Sequence, residues 1–274
     1  MTKQSRQRHL AELRARREAE RKAAQRRRAR ITYGTIAGVV VVVAIAAALI
    51  VRGGDDPASP AAPAPEATPM DARADAPSAP AQAACGAKVP PRKPRPTFKT
   101  APPVSVKAGE KYTANLVTSC GEITIALDAK ASPKTISSWV FLASKGYYDS
   151  TWFHRIVPGG QAGIGVVQGG DPEGTGTGGP GYNLAEEPPK GRDKPYARYT
   201  VAMAKSSAPN STGSQFFINT QDNSQALPPD YTYVGVVTKG RDVVDKLAAI
   251  PTGGESGDTP QQSAWIEKLT VTKG

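Results

Sequence analysis

An uncharged run of 21 residues, from Ile31 to Val51, most constrains how this chain can fold. The run is rich in Val, Ile and Ala, and as an α-helix it would extend about 31 Å, close to the thickness of a bilayer core. A buried helix of a soluble protein normally keeps a polar stripe, whereas the polar side chains here, Thr32, Tyr33 and Thr35, lie near one end. The run therefore predicts a transmembrane helix over residues 31–51.

Two other interpretations of this run stay open, a buried soluble helix and a cleaved signal peptide. The segment before it is long for a signal peptide, and no small-x-small cleavage pattern directly follows Val51. Four arginines lie between positions 26 and 30, whereas Arg52 is soon followed by Asp55 and Asp56. The positive-inside rule then predicts a single-pass protein of the cell membrane, with a cytoplasmic N-terminus and the bulk of the chain, including its C-terminal domain, outside the cytoplasm.

The net charge of +11 is concentrated in the predicted tail, residues 1–30. This tail holds twelve Lys or Arg against three Glu, so it carries +9 and leaves about +2 for the rest. A nucleic-acid-binding face would need basic residues on a folded surface with aromatic residues for stacking, and the tail has none. We expect a tail near anionic lipid and no nucleic-acid partner; a functional tail with the rest as accessory stays an alternative.

Residues 52–104 form a segment that cannot bury a core. Thirteen of the 25 prolines lie between positions 53 and 104, mixed with Ala and few aliphatic residues. We expect an extended linker with a reach between about 40 Å as a coil and about 160 Å as polyproline II. The chain thus divides into a tail (1–30), a transmembrane helix (31–51), a linker (52–104) and a folded domain (105–274).

The two cysteines, Cys85 and Cys120, both fall on the predicted outer side of the membrane, where disulfides are permitted. A bond between them would close a loop of about 36 residues and contribute roughly 3 to 4 kcal/mol in chain-entropy estimates. The even count and the compartment favour this pairing, and two free thiols stay the alternative.

Residues 105–274 show the pattern of a β-rich domain. Apolar residues alternate with polar ones from 112 to 116 and again from 123 to 127, and Ser119 to Gly121 between them indicates a hairpin turn. Ser132 and Pro133 signal the start of a helix that Gly146 ends. We further expect a helix over residues 242–249 and a strand over 265–271. Many short strands with two helices suggest a closed antiparallel barrel.

The side chains supply neither a hydrolytic nor a metal site. His154 is the only histidine outside the tail, no Cys or Asp accompanies it in a catalytic pattern, and two distant Cys cannot complete a ligand set. Gly174, Gly176 and Gly179 match G-x-G-x-x-G, but Pro180 stands where a phosphate-binding helix would begin, so we predict a loop. We expect no metal and no cofactor.

Several separated blocks, in order, make residues 105–274 resemble the cyclophilin family. They are Pro133-Lys134-Thr135, Gly146-Tyr147-Tyr148-Asp149, Phe153-His154-Arg155-Ile156-Val157, Val166-Val167-Gln168-Gly169-Gly170-Asp171, Met203-Ala204-Lys205 and Asn210-Ser211-Thr212-Gly213-Ser214-Gln215-Phe216-Phe217-Ile218. The resemblance implies a closed eight-stranded antiparallel barrel capped by two helices. It also implies a peptidyl-prolyl cis-trans isomerase, which rotates X-Pro bonds of protein clients and needs no acid, base or metal.

The resemblance assigns roles to individual residues. Arg155 would donate to the prolyl nitrogen in the twisted state, and Gln168 would position the carbonyl. In a strand, adjacent Phe216 and Phe217 face opposite sides, and we expect Phe216 in the core. His154 is expected to be packed and hydrogen-bonded, and an exposed salt bridge is the alternative role of Arg155. The substrate-binding set comprises Phe217, Val166, Leu227, Gln215, Ala204, Lys205, Phe153, His154 and Tyr231.

The sequence departs from the family at two places. Residues 159–165 form a glycine-rich insertion where the family has a short turn and a pocket phenylalanine, and Ile164 replaces this aromatic only if the loop folds back. Between Gln225 and Tyr231 the family often has a tryptophan, which binds cyclosporin, and a histidine; this stretch has no tryptophan, and Tyr231 takes the histidine position. We therefore expect weak cyclosporin binding and a shallower or more mobile pocket. We also expect the chain to be a monomer.

Two functions remain in competition at this point. The first is an isomerase that assists the folding of proline-containing proteins outside the cytoplasmic membrane. The second is a module or chaperone that binds proline-rich peptides with little turnover, which the altered pocket would allow.

Overall fold

The computed structural model describes residue 80 and residues 82–91, 95–160 and 163–274. The predicted tail, the predicted transmembrane helix and most of the predicted linker lie outside these residues. Within the described part of the chain, no helix is long and apolar enough to cross a membrane.

The predicted hairpin is confirmed. Strands β1 (Tyr112–Thr118) and β2 (Gly121–Leu127) pair antiparallel, with Thr118 opposite Gly121 at the turn. Their buried side chains alternate with half-buried or exposed ones, and Leu116 and Ile123 are fully buried opposite each other. Gly121 has φ 131°, and a Cβ there would lie 2.8 Å from Val243. Glycine is therefore required both by the backbone conformation and by the close packing.

Both predicted helices are present, as α1 (Pro133–Ser144) and α2 (Arg241–Ala248). Gly146, with φ 62°, follows the end of α1 as expected. The N-terminus of α1 differs from the expectation, because the Ser132 hydroxyl donates to the Tyr233 carbonyl and does not cap the helix. The Glu187 carboxylate instead accepts hydrogen bonds from the first amides of α1, at 3.1 and 2.9 Å.

The described strands form one curled nine-stranded antiparallel sheet and a separate two-stranded ribbon. The order in the large sheet is β3-β11-β1-β2-β8-β6-β7-β5-β4. The remaining strands are β3 (Thr151–Trp152), β4 (Arg155–Pro158), β5 (Gly165–Gly169), β6 (Thr200–Met203), β7 (Phe216–Asn219), β8 (Tyr233–Lys239) and β11 (Trp265–Lys273), with β9 (Thr252–Gly253) and β10 (Thr259–Pro260) in the ribbon. Strand β11 confirms the predicted C-terminal strand.

The expectation of a closed eight-stranded barrel is wrong, because the sheet is an open half-barrel. Its edge strands β3 and β4 are joined in the chain by Phe153 and His154, yet no ladder of described residues joins them. The backbone N–H groups of Phe153 and Ile156 donate instead to the carbonyls of Ala264 and Asp258, at 3.0 and 2.9 Å. These partners occupy the donors at the gap, and the segment from Asp258 to Ala264 lies against this edge.

The packed region starts before the predicted boundary at residue 105. Cys85 and Cys120 form a disulfide that joins the pre-domain segment to the turn between β1 and β2. Further along, the Phe98 ring packs against Phe141 of α1 with centroids 4.7 Å apart, and the Phe98 amide donates to the Pro180 carbonyl. This part of the proline-rich stretch therefore belongs to the folded domain.

Candidate active site

Three neighbouring strands place the predicted site residues side by side. Arg155 on β4 lies opposite Gln168 on β5, and Gln168 lies opposite Phe217 on β7. Residues directly opposite in antiparallel strands project from the same face of a sheet. The residues next to them, including Ile156, Val167 and Phe216, face the other way and are fully buried in the main core.

A continuous set of hydrogen bonds holds the Arg155 guanidinium. Its Nε donates to Asp258 Oδ2 at 2.7 Å, and its Nη1 donates to Gln168 Oε1 at 3.3 Å. Gln168 Nε2 donates to Gln215 Oε1 at 3.0 Å, and Gln215 Nε2 donates to the Gly178 carbonyl at 2.9 Å. The Arg155 side chain remains 41% exposed, and a guanidinium carries five N–H donors. The network thus orients the group and leaves donors for a ligand.

Asp258, which no motif of the sequence indicates as a site residue, pairs with Arg155. The Asp258 carbonyl also accepts from the Ile156 amide, so the acidic residue is fixed to β4 by backbone and side chain. Burial raises the pKa of the Asp258 carboxyl, but hydrogen bonds from Ser256 and Arg155 outweigh burial and hold this pKa below its ordinary value. The carboxylate is therefore charged at neutral pH, as an ion pair with Arg155 requires.

An apolar cavity of about 650 Å³ adjoins this network. Phe217 and Val166 form its floor with buried side chains, and the Tyr231 ring stands edge-on to Phe217 with centroids 5.5 Å apart. Phe216 is fully buried in the main core on the opposite face, as the alternation predicts. The residues that line the apolar part are Ile164, Val166, Ala204, Phe217, Leu227 and Tyr231.

The glycine-rich insertion does fold back, so that Ile164 lines the cavity. The Asn223 side chain accepts a hydrogen bond from the Gly165 amide at 3.0 Å and donates one to the Gly165 carbonyl at 2.8 Å. The Gln221 side chain similarly accepts a hydrogen bond from the Gly160 amide and donates one to the Gly163 carbonyl. Ile164 packs against the cluster that contains Phe217.

The family model for cyclophilin type peptidyl-prolyl cis-trans isomerases matches residues 113–271, more than half of the chain. The chain belongs to this cyclophilin family. The match covers both helices, nearly all of the large sheet, and the residues of the network and of the apolar part of the cavity, which lie between Arg155 and Asp258.

Curated relatives and solved structures agree with this membership. A probable peptidyl-prolyl cis-trans isomerase B of Mycobacterium leprae is 37% identical over 172 residues, which cover 58% of this chain and 56% of the relative. The corresponding protein of Mycobacterium tuberculosis is 38% identical, with 54% and 50% covered. The chain therefore spans about half the length of these mycobacterial relatives. Peptidyl-prolyl cis-trans isomerase B of Streptomyces anulatus is 37% identical, with 59% and 97% covered.

The structure of a Cryptosporidium parvum cyclophilin type peptidyl-prolyl cis-trans isomerase, determined in the presence of the dipeptide Ala-Pro, superposes with a TM-score of 0.52. It is 28% identical and covers 59% of this chain and 99% of its own.

The cyclophilin domain places the remaining predicted residues differently from one another. Ala204 and Lys205 line the cavity, and Lys205 Nζ lies 3.0 Å from an Asp230 carboxylate oxygen and 5.4 Å from the Tyr231 ring centroid. Gln215 reaches the site through its hydrogen bond to Gln168. Phe153 is fully buried in the main core and does not line the cavity, because it packs under Gly169.

His154 lines the cavity and is packed, but it lacks the expected hydrogen bonds. Neither buried ring nitrogen makes a hydrogen bond of ordinary geometry with the described residues. Burial lowers the pKa of His154, and the charge of Arg155 acts in the same direction, against the raising effects of Asp171 and Asp258. The imidazole is therefore neutral at neutral pH.

This lowered pKa predicts how stability depends on pH. Below about pH 6.5 the unfolded chain binds a proton that folded His154 does not, so the free energy of unfolding falls as pH decreases, by at most about 1.4 kcal/mol per pH unit. The loss ends below the pKa of His154 in the folded state. Urea denaturation of the full chain between about pH 7.5 and 5.5 measures the slope. His154→Gln should flatten it, and His9→Gln, which removes the other histidine, should not. An unchanged slope in His154→Gln would contradict the assignment.

Proposed function

We propose that the chain is a peptidyl-prolyl cis-trans isomerase that rotates X-Pro bonds of proteins outside the cytoplasmic membrane and so assists their folding. The observation that carries the proposal is the fixed guanidinium of Arg155, which lies beside an apolar cavity large enough for a proline ring and its neighbours. Membership of the cyclophilin family supports the same activity.

The chemistry of the X-Pro bond explains why such a site is sufficient. The barrier is amide resonance, about 20 kcal/mol, and rotation localises the lone pair on the prolyl nitrogen. A donor at this nitrogen binds the twisted state better than either planar isomer, so it lowers the barrier. Arg155 provides a permanently charged donor, and each 1.36 kcal/mol gained in the twisted state raises the rate about tenfold.

The other side chains hold the substrate. Phe217, Val166, Leu227 and Ile164 offer an apolar surface to the proline ring, and Gln168 offers an amide within the same network as Arg155. Because no covalent bond is made or broken, the reaction requires no cofactor. The Ala-Pro dipeptide named with the Cryptosporidium structure supports a proline-containing peptide as the ligand.

Replacement of Arg155 by alanine should abolish most turnover. We expect kcat for a short X-Pro peptide to fall about 100-fold or more, because one preorganised donor commonly contributes that much, while peptide binding is retained. Exchange spectroscopy of the cis and trans peptide signals measures the rate. Arg198→Ala is the matched control, since Arg198 pairs with Asp245 at the surface, away from the cavity.

Two results would contradict this proposal. Wild-type kcat in Arg155→Ala would remove Arg155 from the mechanism. A folded wild-type chain that binds the peptide but never accelerates its rotation would favour the proline-peptide binding module.

Asp258 should act as a positioning residue for Arg155. Asp258→Asn keeps an acceptor but removes the charge, so the guanidinium is held less firmly and we expect kcat to fall about tenfold with little change in KM. Because the pKa of Asp258 is lowered, wild-type kcat should keep this contribution at neutral pH and lose it only in acid, below about pH 4.

The matched control for Asp258→Asn is Asp245→Asn, which alters the exposed Arg198 pair. Loss of the acid limb of the kcat profile in Asp258→Asn, and its retention in Asp245→Asn, distinguishes positioning from a general effect on folding. An Asp258→Asn enzyme with the wild-type kcat and the wild-type acid limb would show that Asp258 has no such role.

The proposed location rests on the sequence and on the cysteines. The uncharged run at residues 31–51 and the arginines before it favour a membrane anchor with residues 52–274 outside. The Cys85–Cys120 disulfide is consistent with an oxidising compartment.

A fusion tests this location. Alkaline phosphatase joined after Gly274 should be active in a bacterial host and sediment with membranes, because the phosphatase needs disulfides that form outside the cytoplasm. The same fusion without residues 31–51 should be soluble and inactive. An inactive, soluble full-length fusion would overturn the anchor and the location together.

A further inference from the structure

Pro80 lines the same cavity as Arg155 and Phe217, the candidate active site, together with Thr259 and Pro260 of strand β10. The proline-rich segment that precedes Pro80 in the sequence therefore enters the fold beside a site whose proposed ligand is an X-Pro bond.

Short-range contacts fix this entry point. Ser263 is fully buried; its hydroxyl donates to the Pro80 carbonyl at 2.6 Å, and its amide donates to the Gln82 carbonyl at 2.9 Å. The Ala84 amide donates to the Ser263 carbonyl at 2.8 Å. The next residue, Cys85, is bonded to Cys120. These hydrogen bonds and the disulfide hold the chain from Gln82 to Cys85 in place and keep Pro80 at the cavity.

The residues just before Pro80 have the composition of a substrate. Ala-Pro occurs four times between residues 57 and 80, and the last two instances are Ala76-Pro77 and Ala79-Pro80. Pro77 precedes Pro80 by three residues, which span about 10 Å of extended chain. Because Pro80 lines the same cavity as Phe217, a chain of this length can reach the apolar surface of the cavity.

We propose that the linker segment of residues 71–80 binds in the cavity of its own chain, with Ala76-Pro77 against Phe217 and Pro80 at the rim. This inference rests on the proposed function, because it assumes that the cavity binds X-Pro dipeptides. The linker is then an intramolecular competitor of the client proteins.

The tether makes even a weak ligand effective. A short flexible connection gives an effective concentration in the millimolar range, so an Ala-Pro segment with millimolar affinity occupies the site for much of the time. Occupancy by the linker reduces the fraction of free sites and raises the apparent KM for an external client by the same factor. A client that binds more tightly displaces the linker.

The first experiment compares KM of the full-length chain, in detergent, with that of Pro77→Ala. We expect KM for a short X-Pro peptide to fall about threefold in the variant, as the competitor is weakened. Pro103→Ala is the control, since Pro103 is exposed and does not line the cavity, and it should keep the wild-type KM. The KM difference should not depend on protein concentration, because the ligand is in the same chain.

The second experiment supplies the segment in trans. A synthetic peptide of residues 71–80 should inhibit Pro77→Ala competitively and change the fluorescence of cavity-lining Trp152, whereas the same peptide with both Pro77→Ala and Pro80→Ala should do neither. Turnover with equal KM in all chains and no inhibition by the peptide would overturn intramolecular binding and leave the isomerase intact. Binding of the peptide in a chain without turnover would overturn the isomerase and leave the intramolecular ligand.

Discussion

The pleat of strands β4, β5 and β7 is the constraint on which both the core and the site depend. Their side chains alternate between the two faces, so Ile156, Val167 and Phe216 enter the main core while Arg155, Gln168 and Phe217 share the other face. A shift of one residue in any of these strands would exchange the two sets. In β4 such a shift would turn the Arg155 guanidinium into the main core and Ile156 out of it, and burial of an unpaired charge is far more costly than any contact at the site. The hydrophobic core therefore fixes the register that places Arg155 next to Gln168.

The contact between Arg155 and Asp258 serves orientation more than stability. Arg155 is 41% exposed, and ion pairs of this kind contribute about 0 to 1 kcal/mol to folding. An exposed arginine without partners samples many rotamers, and each binding event would have to fix them. The hydrogen bonds to Asp258 and Gln168 fix the rotamer of Arg155 before a ligand binds. Because Gln168 is itself held by Gln215, and Gln215 by the Gly178 carbonyl, the order extends from the guanidinium into the glycine-rich loop after β5.

Local patterns were sufficient to predict the elements but not the contacts between distant segments. The hairpin, both helices and the opposite orientations of Phe216 and Phe217 follow from periodicity over a few residues, and the family motifs supplied Arg155 and Gln168. Asp258 lies 103 residues from Arg155 in a segment whose glycines and serine indicate only a loop, and Glu187 caps α1 from 52 residues away. The prediction of a closed barrel was wrong for the same reason. Strand count does not reveal that Asp258 and Ala264 take the backbone donors of Ile156 and Phe153 at the open edge.

The glycine-rich insertion shows how the fold replaces a missing aromatic side chain. Gly165 has no room for a Cβ, which would lie 2.6 Å from the Thr220 hydroxyl oxygen, so the chain passes close to β7 at this point. Asn223, fully buried, then binds both backbone groups of Gly165. These contacts fix the position of Ile164, which packs against the cluster that contains Val166 and Phe217. Leu227 and Tyr231 line the same cavity, so its apolar surface is shared among several side chains. Because no one side chain provides most of this surface, a bound ligand gains little from any single contact, as the proposed release of both isomers requires.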